Sequence, residues 1–241
     1  MNPLDSFKAG KLDEAIAALS NELRRNPADS KSRTFLFELL CFSGDYERAE
    51  KQLDVLAQSG SQADLGALLY RGALNATRTR RDLFQDRKFP KPTAPSESAD
   101  LLRGTLNGAP FETLVDADPR IGANVEVFAA GSYMLVPFSL LSSVEIAPPR
   151  RLRDLLWIPA VIRTTPAFQD RELGETLLPA LTPFSAKHAS DSVRLGRETV
   201  WEETETGELC PVGQKVLLVD GEEMPILDVR KLQFAAVQSA S

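Results

Sequence analysis

The sequence feature that most constrains the fold is a repeat with a period of 34 residues near the N-terminus. Residues 10–15 read GKLDEA and residues 44–49 read GDYERA, and Leu19 and Leu53 extend the match in the same register. The glycine that opens each copy can adopt the backbone conformation of a tight turn between helices. The alanine that ends each copy leaves room for two helices to cross closely. A period of this length therefore predicts stacked helical hairpins.

Apolar residues of the first copy recur at helical spacing and form one stripe: Leu12, Ile16, Leu19 and Leu23. Pro27 follows Asn26 and ends this helix. These features resemble the tetratricopeptide repeat family, in which each unit is a helix–turn–helix. The first unit keeps only a short first helix at about residues 3–8. A third helix over about residues 62–84 runs on through three arginines instead of turning at a glycine, as a capping helix does.

Stacked helical hairpins leave a concave face that commonly binds an extended peptide or a single helix. In the register of the tetratricopeptide family, six residues face this groove and are predicted to bind a partner: Phe7, Lys8, Lys31, Thr34, Glu38 and Phe42. Phe7 and Phe42 have a second interpretation as core side chains, because large apolar residues are usually buried. The groove as a whole is interpreted as a protein-binding surface.

The second half of the chain has the signals of short strands. Residues 89–96 read FPKPTAPS and predict a stiff connector, and residues 98–106 predict a short helix capped by Ser98. Turn signals at residues 131–132 and 220–223 are flanked by strand-like segments, so each predicts a β-hairpin. Several short strands with turns between them predict a compact, mainly-β domain that resembles a small barrel.

The predicted fold class is therefore α+β, with a tetratricopeptide-like helical array before a mainly-β domain. The predicted helical region covers residues 1–88, and the C-terminal domain covers residues 121–241. Residues 89–120 are predicted to be a Pro-rich linker with a short helix. The boundary after residue 88 depends on the change from helical to proline-rich and then strand-like sequence.

A series of short motifs in the C-terminal half resembles one protein family by their order and spacing. They read VPF at 136–138, PP at 148–149, LRDLLWIPA at 152–160, LGRETVW at 195–201, GQ at 213–214 and LDVR at 227–230. Together they resemble the ImpE/SciE family, also called TagJ, which consists of accessory proteins of bacterial type VI secretion. That family also places a tetratricopeptide-like region before this C-terminal domain, so the resemblance covers nearly the whole chain.

The resemblance implies a non-catalytic cytoplasmic adaptor that acts alongside the contractile sheath and its ATPase, ClpV. It implies binding of an N-terminal helix of the small sheath protein TssB, with an effect on sheath assembly or recycling. A platform of helical hairpins suits this ligand, because an amphipathic helix can lay its apolar stripe in a groove. The contact can involve either domain or both.

Five residues of the motifs are candidates for a structural or a binding role: Arg153, Asp154, Trp157, Arg197 and Trp201. On one helical turn, Arg153 and Trp157 would share a face, with the guanidinium stacked on the indole. Asp154 would pair with Arg197 or Arg163, and an ion pair that fixes the shape of the domain is favoured over a binding role. Trp201 lies in a strand-like segment and is predicted to be a core residue.

Charge and composition argue against several classes of function. The net charge is −6, and residues 91–241 carry 14 Lys/Arg against 21 Asp/Glu, whereas nucleic-acid binding needs a basic face. The longest uncharged run, residues 127–144, is interrupted by Gly131 and Pro137 and predicts strands rather than a membrane span. Charged residues interrupt any signal peptide, and the two cysteines lie far apart, so a cytoplasmic protein is expected.

No set of nucleophile, base and stabilising group can be assembled, so the chain is predicted not to be an enzyme and to need no cofactor or metal. Its single histidine, His188, lies in a polar segment without a nucleophile elbow, and with two distant cysteines it makes no zinc site. Two alternatives stay open. One is a hydrolase or small-ligand-binding C-terminal domain recruited through the repeats, and the other is a scaffold that self-associates through its helical face.

Overall fold

The computed structural model describes residues 2–58, 61–89, 102–168 and 173–235. Its N-terminal described part contains five helices: α1 (Pro3–Lys8), α2 (Leu12–Arg25), α3 (Ser30–Phe42), α4 (Tyr46–Ala57) and α5 (Ser61–Gln85). The turns of the two hairpins contain Gly10 and Gly44, with φ of +76° and +75°, a region that favours glycine. The tetratricopeptide-like array and its long third helix are confirmed. Within the described ranges, no helix is both long and apolar enough to cross a membrane.

Side-chain caps explain where these helices begin. Asp29 and Asp45 accept backbone N–H groups at the starts of α3 and α4. At the start of α2, the N–H of Leu12 donates to Asp191 Oδ2 at 2.9 Å. This cap comes from the C-terminal half of the chain, so it ties the first hairpin to the β domain.

The described C-terminal half contains thirteen strands in three antiparallel sheets. The main sheet has the order β2-β1-β13-β6-β7-β8-β4-β5. Its strands are β1 (Gly104–Leu106), β2 (Ala109–Phe111), β4 (Asn124–Ala129), β5 (Ser132–Pro137), β6 (Leu141–Ile146), β7 (Trp157–Thr164), β8 (Gly174–Pro179) and β13 (Lys231–Phe234). The smaller sheets contain β3 (Leu114–Asp116), β11 (Val216–Val219) and β12 (Glu222–Pro225), and β9 (Thr199–Glu203) with β10 (Leu209–Gly213). A short helix, α6 (Asp191–Arg194), precedes β9, and the mainly-β prediction is confirmed.

Both predicted hairpins are present. The β4–β5 hairpin turns at Ala130 and Gly131, with φ of +49° and +78°, and β11–β12 turns at Asp220 and Gly221, with φ of +52° and +85°. Positive φ at both central residues matches the twist of the flanking strands, which is why Gly and Asp are favoured there.

The linker prediction needs a correction. Residues 104–106 of the predicted helix form β1, and residues 98–101 lie outside the described residues. β1 pairs with β13 and β2, and β3 pairs with β11, so these strands belong to the sheets. The reason is the Asn107-Gly108 turn, a two-residue hairpin signal that favours strands over a helix. The division after residue 88 stays a prediction.

Two hydrophobic cores lie on opposite faces of the main sheet, as β4 shows. Val127 points into a core enclosed by the strands, whereas its neighbour Phe128 points into a core shared with the helices. The shared core combines residues of α2, α3, α4 and α5 with Leu156, Trp157 and Leu195 of the β domain. Because helices cover one side of α3 and the β domain covers the other, residues 36–42 are all buried.

Candidate partner-binding cleft

The predicted groove of the helical array is largely covered by the chain itself. Phe42 is fully buried in the shared core, and Glu38 is 7% exposed beside Arg153. The prediction that these two residues face a partner is wrong, because the β domain covers this part of α3. The second interpretation of Phe42, as a core residue, is confirmed.

Phe7 and Lys8 meet the β domain through Arg197. The Arg197 guanidinium lies 5.1 Å from the centroid of the Phe7 ring and donates to the carbonyl oxygens of Phe7 at 2.8 Å and Lys8 at 3.2 Å. Phe7 is consequently half-buried, whereas the side chains of Lys8 and Lys31 are exposed and Thr34 is partly exposed. A binding role for Lys8, Lys31 and Thr34 stays a prediction.

Trp157 is the centre of the contact between the helices and the main sheet. It is 3% exposed, and its Nε1 donates to Thr77 Oγ1 at 3.0 Å. Its ring stacks on Tyr70 with the centroids 5.9 Å apart and lies 6.1 Å from the ring of Phe37. Thr77 and Tyr70 belong to α5 and Phe37 to α3, so this one motif residue holds two helices against the sheet.

The predicted stacking of Arg153 on Trp157 is wrong. Arg153 lies in a 3-10 turn, Leu152–Leu155, and Trp157 begins β7, so the two side chains do not share a helical face. The Arg153 guanidinium instead lies 4.7 Å from the Tyr70 ring centroid, with its Nη1 3.7 Å from Glu38 Oε1. Burial raises the pKa of Glu38 to about 6, and the opposing charge of Arg153 only partly offsets that rise.

Asp154 pairs with neither of its predicted arginine partners. Its Oδ2 accepts the backbone N–H groups of Arg150 at 2.8 Å and Arg151 at 2.9 Å. The carboxylate therefore fixes the loop that precedes β7. Trp201 also departs from its prediction, because it is 39% exposed on β9 and donates from Nε1 to Glu223 Oε1 at 3.1 Å instead of lying in a core.

The segment around α6 fastens the first hairpin to the β domain. Arg194 donates to both carboxylate oxygens of Asp13, at 3.0 and 3.1 Å, and to Asp191 Oδ1 at 2.8 Å. The hydrogen bond from Arg194 lowers the pKa of Asp13. With the Leu12 cap and the contacts of Arg197, this segment covers the turn between α1 and α2.

A buried ionic cluster joins α5 to the β domain, and sequence reasoning missed it. Arg80 donates to both carboxylate oxygens of Glu126 at 2.6 Å, and Lys215 Nζ donates to Glu126 Oε2 at 2.6 Å. Lys215 also pairs with Asp116, and the Tyr133 hydroxyl donates to Glu126 Oε1 at 2.7 Å. The charged side chains of the cluster are at most 7% exposed.

The two acids of this cluster respond differently to burial. For Glu126, burial acts to raise the pKa, but the charges of Arg80 and Lys215 outweigh it and lower the pKa to about 2. For Asp116, burial prevails over its single cationic partner, Lys215, and raises the pKa to about 6. Glu126 is therefore the charge that holds the cluster together.

The sequence did contain a signal for this cluster. Arg80 continues the buried side of α5 at helical spacing from Ala73, Ala76 and Phe84. Glu126 lies between two buried valines of β4 and therefore points to the face of the sheet that packs on the helices. A charged residue on an apolar stripe needs a buried partner, but its identity depends on the tertiary fold.

A large cleft lies between α5 and the outer face of the main sheet. Its volume is about 1370 Å³, and it is open to solvent. One wall is the segment of α5 from Leu68 to Asn75, and the floor is formed by parts of β4, β6, β7, β8 and β13. Leu68 and Leu69 are 65% and 53% exposed on this wall. Large apolar side chains so exposed, beside a cleft, indicate a binding surface.

The floor of the cleft has an apolar and a charged part. Pro159, Leu177 and Phe128 are cross-strand neighbours in one row, next to Trp157. The adjacent row carries charged residues of β13, β6 and β8: Lys231, Glu145 and Glu175. The volume exceeds the range of typical small-molecule pockets, about 300–1,000 Å³, and the long apolar wall favours a peptide segment as the ligand.

His188 does not contribute to this cleft. Its Nδ1 accepts the backbone N–H of Ser190 at 2.9 Å, and its Nε2 lies 3.2 Å from Glu202 Oε1, so both ring nitrogens are engaged. Within the described residues, no group of three or more His, Cys, Asp or Glu side chains could hold a metal ion.

Comparisons with known proteins agree with the two-part architecture. The family model described as ImpE protein matches residues 108–233, and a tetratricopeptide repeat model matches residues 6–70. The chain is 33% identical to the type VI secretion system accessory component TagJ of Pseudomonas aeruginosa, over 95% of this chain and 89% of TagJ. The crystal structure of protein VPA1032 from Vibrio parahaemolyticus is 24% identical and has the same fold, with a TM-score of 0.85 over 97% of each chain.

Proposed function

The chain belongs to the ImpE family, and we propose that it is a non-catalytic cytoplasmic adaptor of a bacterial type VI secretion system. The family expected from the sequence motifs is thereby confirmed. The proposed partner is an N-terminal helix of the small sheath protein TssB, and the proposed role is to modulate sheath assembly or recycling together with the ATPase ClpV. The accessory role given in the name of the P. aeruginosa relative supports this assignment.

The observation that carries the proposal is the open cleft between α5 and the sheet. An amphipathic helix is about 10–12 Å across and needs one apolar wall or groove for its stripe. Leu68 and Leu69 offer such a wall, and Phe128 and Leu177 offer apolar floor. The cleft takes the place of the concave tetratricopeptide groove, which the β domain covers.

Isothermal titration calorimetry tests the proposal with the folded full-length chain and a synthetic peptide of the TssB N-terminal helix. Leu68→Gln with Leu69→Gln removes the apolar wall while keeping good helix formers in α5. Full burial of a leucine contributes about 1.5–3 kcal/mol, so loss of both exposed portions should weaken binding about tenfold to a hundredfold. Leu209→Gln is the matched control, because Leu209 is 59% exposed on β10, outside the cleft.

Two results would contradict the proposal. If about 100 μM peptide gives no heat of binding, the TssB helix is not the partner. For comparison, a dissociation constant of 1 mM corresponds to a binding free energy of about −4 kcal/mol. Equal weakening by Leu209→Gln and by the double substitution would place the contact outside the cleft.

A further inference from the structure

One end of the cleft carries basic side chains that have no ion-pair partner. Among the described residues, Arg150, Arg151, Arg230 and Lys231 form no salt bridge, and these four are called the basic rim. Most arginines of the helices, by contrast, form an ion pair with a carboxylate, as Arg71 does with Asp54 at 2.8 Å. Unpaired cations beside an apolar cleft leave charge for a ligand to neutralise.

The members of the basic rim lie in or beside one end of the cleft. Arg230 and Lys231 line the cleft directly, at the start of β13. Arg150 and Arg151 do not line the cleft but lie beside it, because Asp154, a lining residue, accepts both of their backbone N–H groups. Burial raises the pKa of Tyr70, another residue of the cleft wall, and the nearby positive charges of Arg153 and Arg151 partly offset that rise.

Positive charge prevails at this end. The acids of the cleft lining nearest to it are Asp154, already engaged by two backbone N–H groups, and Glu145, which lies opposite Lys231 in the β6–β13 register. Glu175 lies farther away, on β8, beyond Val161. At this end the lining itself carries Arg230 and Lys231 against Glu145 and Asp154. Beside the lining, Arg150 and Arg151 add two positive charges against the exposed Asp228, so a ligand with negative charge is electrostatically favoured there.

We infer that the cleft selects an amphipathic helix with an acidic end, its apolar stripe on Leu68 and Leu69 and its acidic residues on the basic rim. This inference rests on the proposed function and adds the charge and direction of the bound helix. The C-terminal end of a helix carries partial negative charge from its unsatisfied carbonyl groups, so acidic residues there add to the attraction. The helix would therefore lie with its C-terminal end toward residues 148–153.

The test uses two designed helical peptides with the same leucine stripe, one with glutamates in its last two turns and one with lysines there. Fluorescence anisotropy with the full-length chain measures both affinities at low salt. Exposed charge pairs contribute about 0.2–1 kcal/mol each, so we expect the Glu peptide to bind about fivefold to thirtyfold more tightly. The preference should shrink as salt rises, because screening weakens exposed charge pairs.

Charge-reversal variants test whether the basic rim causes the preference for the Glu peptide. Arg150→Glu with Arg151→Glu should abolish it, and these exposed side chains leave their backbone N–H contacts to Asp154 intact. Arg24→Glu with Arg25→Glu is the matched control, an exposed arginine pair at the end of α2 that does not line the cleft. It should leave the preference within about twofold.

The outcomes separate this inference from the proposed function. If the Glu peptide binds but the TssB peptide does not, TssB is not the partner and the acidic-helix inference stands. If the TssB peptide binds and the double substitution Arg150→Glu with Arg151→Glu does not change its affinity, the adaptor proposal stands and the inference is overturned. Equal binding of the two designed peptides, preference for the Lys peptide, or no binding of either also overturns it.

Discussion

Loss of the Glu126 charge is the sharpest test of how the two parts of the molecule are joined. Glu126→Gln keeps the size of the side chain but leaves Arg80 and Lys215 buried with Asp116 as the remaining acid of their cluster. The amide of Gln also presents N–H donors where Arg80, Lys215 and Tyr133 now donate.

The expected loss is large because the cluster is almost free of solvent. Removing one partner of a buried ion pair costs about 3–5 kcal/mol, since the other charge stays buried without compensation. For a chain of this size, each kcal/mol lowers Tm by about 2–4 °C, so Tm should fall by roughly 6–20 °C. Urea unfolding followed by circular dichroism measures the same loss, and an unchanged m-value would show that the native and unfolded states remain comparable.

The matched control is a pair of the same chemistry on the surface. Arg87 and Glu205 lie 2.5 Å apart with side chains 59% and 88% exposed. Glu205→Gln should change the free energy of unfolding by no more than about 0.5 kcal/mol. A Glu126→Gln variant within about 1 kcal/mol of wild type would refute the claim that this cluster holds the domains together.

Three further predictions follow from single contacts. Because burial raises the pKa of Glu38 from 4.5 to about 6, wild type loses stability as pH rises through that window. Glu38→Gln should therefore gain about 2 kcal/mol relative to wild type between about pH 3.5 and about pH 7 in urea unfolding, and a gap that does not change with pH would contradict this. Gly66→Ala should stabilise the protein by about 0.5–1 kcal/mol, whereas Gly72→Ala should gain less or lose, because its Cβ would lie 3.3 Å from the Cα of Gly131; equal gains in Tm would show that this approach is not close. Residues 1–89 alone should lack a cooperative thermal transition by circular dichroism, because the shared core would lose its β-domain half, and a sharp transition would show that the helices fold independently.

Features set by short stretches of sequence were predicted well. The 34-residue period, with glycine at each interhelical turn, identified the helical hairpins because each signal lies within one unit. The Asp220-Gly221 turn identified its hairpin for the same reason. Asn107-Gly108 is a turn signal of the same kind, and the capped-helix prediction is wrong for residues 104–106 because this turn joins β1 to β2.

Features that depend on contacts between distant residues could not be assigned. The register of the repeat places Glu38 toward the predicted groove, but Arg153 and Trp157, which cover that side of α3, lie more than a hundred residues later. Glu126 is separated from Arg80 by 46 residues and from Lys215 by 89, so its unusual position signals a partner without identifying it. Trp201 is of a residue type that is usually buried in a core, yet its strand belongs to a separate two-stranded sheet.

The motifs that identify the family also determine how the two helical hairpins sit against the sheet. Trp157 from one motif and Arg197 from another hold the helices against the sheet, so the C-terminal sequence determines how the N-terminal array is placed. The array no longer presents an open concave face, and its last helix forms one wall of a cleft whose floor is the sheet. A helix bound in that cleft would contact both parts at once. Its affinity should therefore fall with any substitution that separates α5 from the sheet, including Glu126→Gln, even though Glu126 does not line the cleft.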